Sequence, residues 1–423
     1  MDFREGARVR VQLVDKRVFE GVVLPGEALT LKLDDGYNIG IDPKNVAKLE
    51  ELTAPATKPA DASAASVAKN SSLPRIDILH TGGTIASKVD YETGGVSNLL
   101  APEELLTLYP ELQEVAHVEA SFVANMSSDD MRFSHYNLLI DAVSNALKKQ
   151  PAGIVITHGT DTLHYTAAAL HYALRGLPVP VVLVGSQRSS DRGSSDAALN
   201  LQAATRFCVS KKAGAGVFIA MHASSSDEEV AILQGVHARK MHSSRRDAFR
   251  AINSSPVAVV RAQEVVVDKE FSKRTQKFSP VRFDESLRIG MAYSHPHMSA
   301  SELEVYKDFD GLVVLGSGLG LLPITVTDDS AKEHEAIKRV VDLLAKTMPV
   351  VMATQCLYGR VSLQVYSPGR RLQEAGVLGH GLALTPEALF SKLAFVLSAG
   401  LDRAAISEDF GDLVARTEER GYE

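Results

Sequence analysis

Thr81-Gly82-Gly83-Thr84-Ile85-Ala86 follows the apolar run Ile76-Asp77-Ile78-Leu79, which reads as the first buried strand of an α/β domain. A strand that ends in two glycines can turn tightly and bring its backbone close to a ligand, because no Cβ stands in the way. Hydroxyls flank the glycines, beyond the carboxyl end of a strand, where open parallel sheets bind ligands. On chemistry alone this turn is either a cradle for phosphate or carboxylate, or the seat of a nucleophilic hydroxyl. An ordinary strand-to-loop turn is the plain reading for such a hexapeptide taken by itself. A second turn of the same kind argues against it: Gly153-Ile154-Val155-Ile156-Thr157, another buried strand, runs into His158-Gly159-Thr160-Asp161-Thr162.

A hydroxyl is a poor nucleophile at neutral pH unless a base takes its proton or nearby charge stabilises the alkoxide. Thr160 and Asp161 stand at a strand-to-helix junction, where free N–H groups and the helix dipole favour negative charge. Lys240, in Ala238-Arg239-Lys240-Met241, is the candidate base. Each has a plainer role as well, since Thr and Asp are preferred helix caps and a single lysine is most often a surface charge. The chemical reading rests on the constellation.

Outward from these turns, 423 residues suggest two or three domains, and 45% hydrophobic with 23% charged residues is ordinary for a soluble globular protein. A net charge of -7 argues against a chain built mainly to grip phosphates. Two distant cysteines, Cys208 and Cys356, make a disulfide framework or zinc site unexpected. The start Met1-Asp2-Phe3-Arg4-Glu5 has no apolar leader and no long apolar run follows, so the expectation is a cytoplasmic enzyme without a membrane segment.

Residues 1–52 read as short alternating strands with an Asp35-Gly36 hairpin signal, as in a small SH3-like or Sm-like β-barrel. Such barrels often bind RNA. This one carries eight Lys/Arg against ten Asp/Glu, which favours docking of protein over an RNA-binding module. Residues 53–73, rich in Ala, Ser and Pro, read as a flexible linker spanning about 25 Å root-mean-square. Alternating strands and helices over 74–275 and again over 286–423 predict a two-domain parallel-sheet core. In the first domain, Ser134 reads as the N-cap of a helix that buries Leu139 and Val143, and a second helix is expected over 167–174. In the second, Ser299-Ala300-Ser301-Glu302 reads as a capping box. The Gly316-Ser317-Gly318-Leu319-Gly320 turn lacks the spacing of a dinucleotide fingerprint. His295 and His297 read as solvated loop residues, and the acidic tail after Ser407 carries no readable chemistry.

Residues 81–86 together with 158–162 resemble the two signature motifs of the bacterial-type L-asparaginase and glutaminase family, and the likeness runs from about 75 to about 401. The resemblance implies a larger N-terminal and a smaller C-terminal α/β domain, with active sites at the interface of an intimate homodimer. It implies Thr84 as nucleophile, Thr160, Asp161 and Lys240 as a second triad, and Tyr91 as the mobile tyrosine that activates the first threonine. Ser128 and Asp129, with Gly83 and Gly159, match the positions that hold substrate. The barrel is foreign to an ordinary asparaginase. With Leu31-Lys32-Leu33-Asp34-Asp35-Gly36-Tyr37-Asn38-Ile39-Gly40-Ile41, Gly185-Ser186-Gln187-Arg188, Ser195-Asp196-Ala197-Ala198 and Gln355-Cys356-Leu357-Tyr358-Gly359-Arg360, the whole chain resembles the D subunits of archaeal glutamyl-tRNA(Gln) amidotransferases. That resemblance implies an amidohydrolase half-reaction on glutamine or asparagine, whose ammonia passes to a GatE-type subunit in a heterotetramer. The partner binds Glu-tRNA(Gln) and uses ATP and Mg, while this chain binds no cofactor or metal of its own. Leu319 and Leu321 replace asparagines that secreted asparaginases carry in this turn, which speaks against a free-standing cytoplasmic L-asparaginase.

The hydroxyl after Gly82-Gly83 is unhindered and lies at the ligand-binding edge of a sheet. Thr84→Ala is therefore expected to lower amidase turnover by orders of magnitude with an unchanged melting temperature. Near-normal turnover would remove Thr84 from the chemistry.

Overall fold

The computed structural model of the chain describes residues 6–24, 29–33, 38–52, 72–83, 85, 87–89, 96–98, 108–189, 194–267 and 277–412. Thr84, Tyr91, the Asp35-Gly36 turn, most of the linker and the last eleven residues lie outside them.

The N-terminal strands Arg8–Leu13, Val18–Val23, Leu29–Leu33, Asn38–Ile41 and Val46–Glu51 form one antiparallel sheet. Each strand pairs with the next, except that the last returns beside the first, with Val11 opposite Leu49. Alternation puts Val9, Val11, Leu13, Leu29, Leu31 and Ile41 on one face, where they form a core of their own. Several basic side chains outside that core are engaged by acids: Arg10 by Glu20 at 2.6 Å, Arg17 by Asp15 at 2.7 Å, and Lys48 by Glu50.

The large sheet has eight strands, in the spatial order Glu264–Val267, Ala258–Arg261, Glu229–Gln234, Gly216–His222, Pro180–Val184, Gly153–Thr157, Arg75–His80 and His117–Phe122. The five from Gly216–His222 to His117–Phe122 are parallel, as the alternating pattern predicts. The other three are antiparallel, so the sheet is mixed. The reason is the connection between Gly216–His222 and Glu229–Gln234, which is too short for a helical crossover and must turn straight back. Strand order reverses at Arg75–His80: the chain moves outward to His117–Phe122 on one side, then returns to set Gly153–Thr157 on the other. Both hydroxyl turns therefore leave adjacent strands at a topological switch point, where an open α/β sheet has its crevice.

Two cores flank this sheet, because its central strands are apolar on both faces. Ile154, Ile156, Val181 and Leu183 face the helices Phe133–Leu147 and Leu163–Ala173. Val155, Val182 and Val184 face the helix Ala197–Val209. In the C-terminal domain, Ile289–Tyr293, Gly311–Gly316 and Val350–Thr354 form a three-stranded parallel sheet. Val313, Leu315, Val351 and Ala353 join the first core, while Leu312, Val314, Val350 and Met352 pack with the helix Glu333–Thr347. The two domains thus share one hydrophobic core, sealed by the helix Pro386–Ser398 lying on Leu163–Ala173.

Local expectations differ in four places. The helix expected to have Ser134 as its N-cap instead begins at Phe133, with Arg132 in the cap position, where Arg132 N–H donates to His135 Nδ1 at 3.0 Å. The next helix starts at Leu163 rather than 167, because Leu163, Ala167 and Leu170 all bury into the shared core. The expected capping box makes only its reciprocal half, Ser299 N–H donating to Glu302 at 2.8 Å, and opens the four-residue helix Ser301–Glu304. Beyond Ser407, a segment that reads as featureless is anchored: Asp412 accepts from Lys392 Nζ at 2.8 Å and from the Tyr172 hydroxyl at 2.6 Å, with both members of the ion pair fully buried. Burial alone would raise the Asp412 carboxyl, but the Lys392 ammonium and these hydrogen bonds hold it below the usual range.

One turn is strained. Arg261 pairs with Glu264 across a two-residue loop in which Ala262 (φ 44°) and Gln263 (φ 73°) are both left-handed. That geometry suits Asn-Gly, and a side chain held there costs roughly 1–2 kcal/mol per residue. Ala262→Asn with Gln263→Gly is expected to stabilise the protein by about 1 kcal/mol. A urea midpoint that rises at constant slope would show it, and an unchanged or lower midpoint would refute it.

Candidate active site

The two glycine turns touch. Gly83 has φ 84°, and a Cβ built on it would lie 2.5 Å from the Gly159 nitrogen and 2.7 Å from the His158 carbonyl carbon. Any side chain at Gly83 would push the turns apart, so this contact explains the glycine. Gly159 in turn lies against Ser128, whose Cβ and Oγ would be 2.9 Å from an added Cβ. Hydrogen bonds hold the same junction together. Thr81 donates to the Thr157 carbonyl through N–H at 3.2 Å and hydroxyl at 2.7 Å, and Met126 N–H donates to the Thr81 carbonyl at 3.1 Å. Thr162 Oγ1 donates to the Ser128 carbonyl at 2.5 Å. Three segments, 81–83, 126–129 and 158–162, are thereby locked into one crevice wall.

Lys240 reaches this wall from the short strand Ala238–Lys240, whose partner is Phe249–Ala251. Its Nζ donates to Thr160 Oγ1 at 2.9 Å and to Asp161 Oδ1 at 2.7 Å. The lysine side chain is only 9% exposed, whereas Asp161 is 66% exposed. The ammonium is thus withdrawn from water on the threonine side and compensated on the open side. Such an arrangement orients the Thr160 hydroxyl and stabilises negative charge developing on it. Ser128 is buried, while the Asp129 carboxylate is exposed and accepts from the Ser127 hydroxyl at 3.3 Å. The structure therefore brings Thr160, Asp161, Lys240, Ser128, Gly83 and Gly159 together, with Asp129 at their rim. Thr84 and Tyr91 fall outside the described residues, although Gly83 and Ile85 place the chain on both sides of the first.

Buried neutral imidazoles back the crevice. His158 is pushed down to about 4 by burial; its Nδ1–H donates to the Gly159 carbonyl at 2.7 Å, and its Nε2 accepts from the Thr166 hydroxyl at 3.0 Å. His164 is pushed down to about 3 by burial, reinforced by the positive charges of Arg239 and Lys240. Behind Thr160, the turn entered at Gly185 is organised by Asp196. Its carboxylate accepts from the N–H groups of Gln187 and Arg188 at 3.0 Å and from Asn200 Nδ2 at 3.1 Å. Asn200 Oδ1 meets His222 Nδ1 at 2.6 Å. Burial raises the Asp196 carboxyl despite these donors, and burial lowers His222. Sequence reasoning passed over His164, Asn200, His222 and the role of Asp196. A polar residue amid a helix's apolar face, as Asn200 is, was the available signal. Among the described residues no cluster of His, Cys, Asp and Glu could hold a metal ion.

Family models match along nearly the whole chain: GatD N-terminal domain over 3–52, Asparaginase, N-terminal over 75–273, and Glutaminase/Asparaginase C-terminal domain over 288–410. The chain is 40% identical to the D subunit of the glutamyl-tRNA(Gln) amidotransferase of Pyrococcus furiosus, over 92% of this chain and 88% of that one. It is 39% identical to the protein of the same name from Saccharolobus islandicus, over 94% and 89%. Among solved structures, the thermostable L-asparaginase from Thermococcus kodakarensis superposes with a TM-score of 0.71 at 32% identity, covering 81% of this chain and 99% of that one.

Lys240 joins Thr160 and Asp161 in one hydrogen-bonded unit, so their losses should not multiply. Each single alanine substitution is expected to reduce amide hydrolysis severely, and each double substitution hardly further. Independent, multiplicative losses in kcat would instead mark a helix cap and an unrelated lysine.

Proposed function

This chain belongs to the family of glutamyl-tRNA(Gln) amidotransferase D subunits, built on an asparaginase/glutaminase core, and we propose a division of labour within it. The core is an amidohydrolase that takes ammonia from a free amino-acid amide for use in converting Glu-tRNA(Gln) to Gln-tRNA(Gln). Thr84 attacks the side-chain amide carbon, the C–N bond breaks, and the threonine proton leaves with nitrogen as ammonia. Water then cleaves the acyl ester and restores the hydroxyl. Thr160, Asp161 and Lys240 form the charged second unit that stabilises oxygen as it becomes negative, and Tyr91 assists Thr84. Ser128 and Asp129, with Gly83 and Gly159, receive the α-carboxylate and α-amino groups. The observation that carries this reading is the Lys240 ammonium held at 2.9 Å from Thr160 and 2.7 Å from Asp161, on a turn pressed against Gly83.

Two further parts of the reading concern partners. Arg10, Arg17 and Lys48 are engaged by acids on the N-terminal sheet, which supports a protein-docking role for it and leaves tRNA mainly to an E-type partner. Activation of the tRNA-bound glutamate with ATP and Mg falls to that partner. The D subunits pair as a homodimer within a heterotetramer, in the cytoplasm of an archaeal source. Glutamine is the main amide donor, with asparagine acceptable, since one methylene is worth only about 1–3 kcal/mol in a pocket.

Amide hydrolysis of glutamine and asparagine should be measured with the chain alone, with an E-type partner, and with both that partner and Glu-tRNA(Gln). Hydrolysis is expected to rise when both are added, because an amidotransferase must not release ammonia to water. Full activity of the isolated chain, unchanged by partner and tRNA, would make it a free-standing asparaginase.

A further inference from the structure

Among the described residues, the strands Ala238–Lys240 and Phe249–Ala251 pair only with each other and belong to neither large sheet. A lone two-stranded ribbon is marginal by itself, so its position depends on what grips it. Phe249 and Ala238 anchor it in the shared core. Successive side chains on a strand point to opposite faces, so Lys240 turns to the crevice while its neighbour Arg239 turns away. Arg239 Nη2 meets Glu387 Oε1 at 3.0 Å, in the first turn of the C-terminal helix Pro386–Ser398. Glu387 is 8% exposed at its side chain, and its other carboxylate oxygen is buried without a hydrogen-bond partner among the described residues. The ion pair is therefore desolvated, directional and sensitive to any shift of that helix.

The other end of the ribbon is gripped as well. Ile252 N–H donates to the His237 carbonyl at 2.7 Å, and the next residue, Asn253, is buried with φ 56°. Its Nδ2 donates to the carbonyls of Ala383 at 2.8 Å and Gly359 at 3.0 Å, and its Oδ1 accepts from Gly359 N–H at 2.8 Å. All three bonds go to the C-terminal domain. A non-glycine residue in left-handed backbone, whose side chain is spent entirely on another domain, is placed there for that contact.

We propose that Arg239, Glu387 and Asn253 are positioning residues that couple the C-terminal domain to Lys240, so that displacement of that domain moves the lysine relative to Thr160. The coupling rests on the assignment of Lys240 to the amidase site. Reacting groups are sensitive to displacements of about 1 Å, which can cost on the order of 100-fold in rate. Because Lys240 acts on charge developing during reaction, losing its alignment lowers kcat and leaves KM nearly alone.

The test is steady-state glutamine hydrolysis by the full-length chain, assembled with its partner, for Glu387→Gln, Asn253→Ala, Arg239→Lys and the exchange Arg239→Glu with Glu387→Arg. Lys240→Gln serves as the reference. Glu387→Gln and Asn253→Ala are each expected to lower kcat about 10- to 100-fold with KM within about twofold. Arg239→Lys and the charge exchange should recover part of the loss. Normal kcat in Glu387→Gln and Asn253→Ala beside an inactive Lys240→Gln would overturn the coupling and leave the site intact. An active Lys240→Gln would instead overturn the assignment of the lysine itself. If the variants only lower the melting temperature, with kcat per native molecule unchanged, the contacts are structural and the coupling is refuted.

Discussion

The packing of the helix Leu163–Ala173 against the helix Pro386–Ser398 is the contact on which the rest of this protein depends. The first helix is buried along nearly its whole length and opens right after the turn that holds Thr160 and Asp161. Its other faces meet the large sheet and the helix Phe133–Leu147, so it cannot move without disturbing both domains. Close-packed interiors of this kind transmit displacement rather than absorb it. The crevice is therefore framed by the shared core, and the polar contacts are set within that frame.

Polar groups refine that frame by a common device, the burial of a partnered group that would be costly alone. Asp196 is surrounded by N–H donors, and His158 is kept neutral between a carbonyl and a hydroxyl. Each such group specifies one arrangement of its turn, because any other leaves a desolvated atom unmatched. The open side of the site is different. Asp161 is largely exposed, so the charge facing Lys240 is screened by water until something covers it.

Much of this was legible in the sequence. The Gly-Gly and Gly-Thr-Asp turns after apolar strands place their residues at a switch point, because strand, turn and helix signals are local. Lys240 stands far from Thr160 in the chain: lysine chemistry makes it a candidate base for that turn, and the resemblance places it in one triad with Thr160 and Asp161. The antiparallel edge was missed because a connection too short for a crossover is a weak signal beside a strong βαβ rhythm. Asn253 and Glu387 were invisible for a different reason: an asparagine in a loop and a glutamate in a helix's first turn are ordinary residues until tertiary structure gives them partners. The same holds for Asp412, which reads as one acid in an acidic tail.

The buried pair of Lys392 and Asp412 also bears on how firmly that frame is closed. An ammonium sealed in a core without its carboxylate costs several kcal/mol, so the helix carrying Lys392 rests on Leu163–Ala173 at full strength only with Asp412 in place. Since that helix closes the core common to both domains, one carboxylate from the segment beyond it braces the crevice from behind.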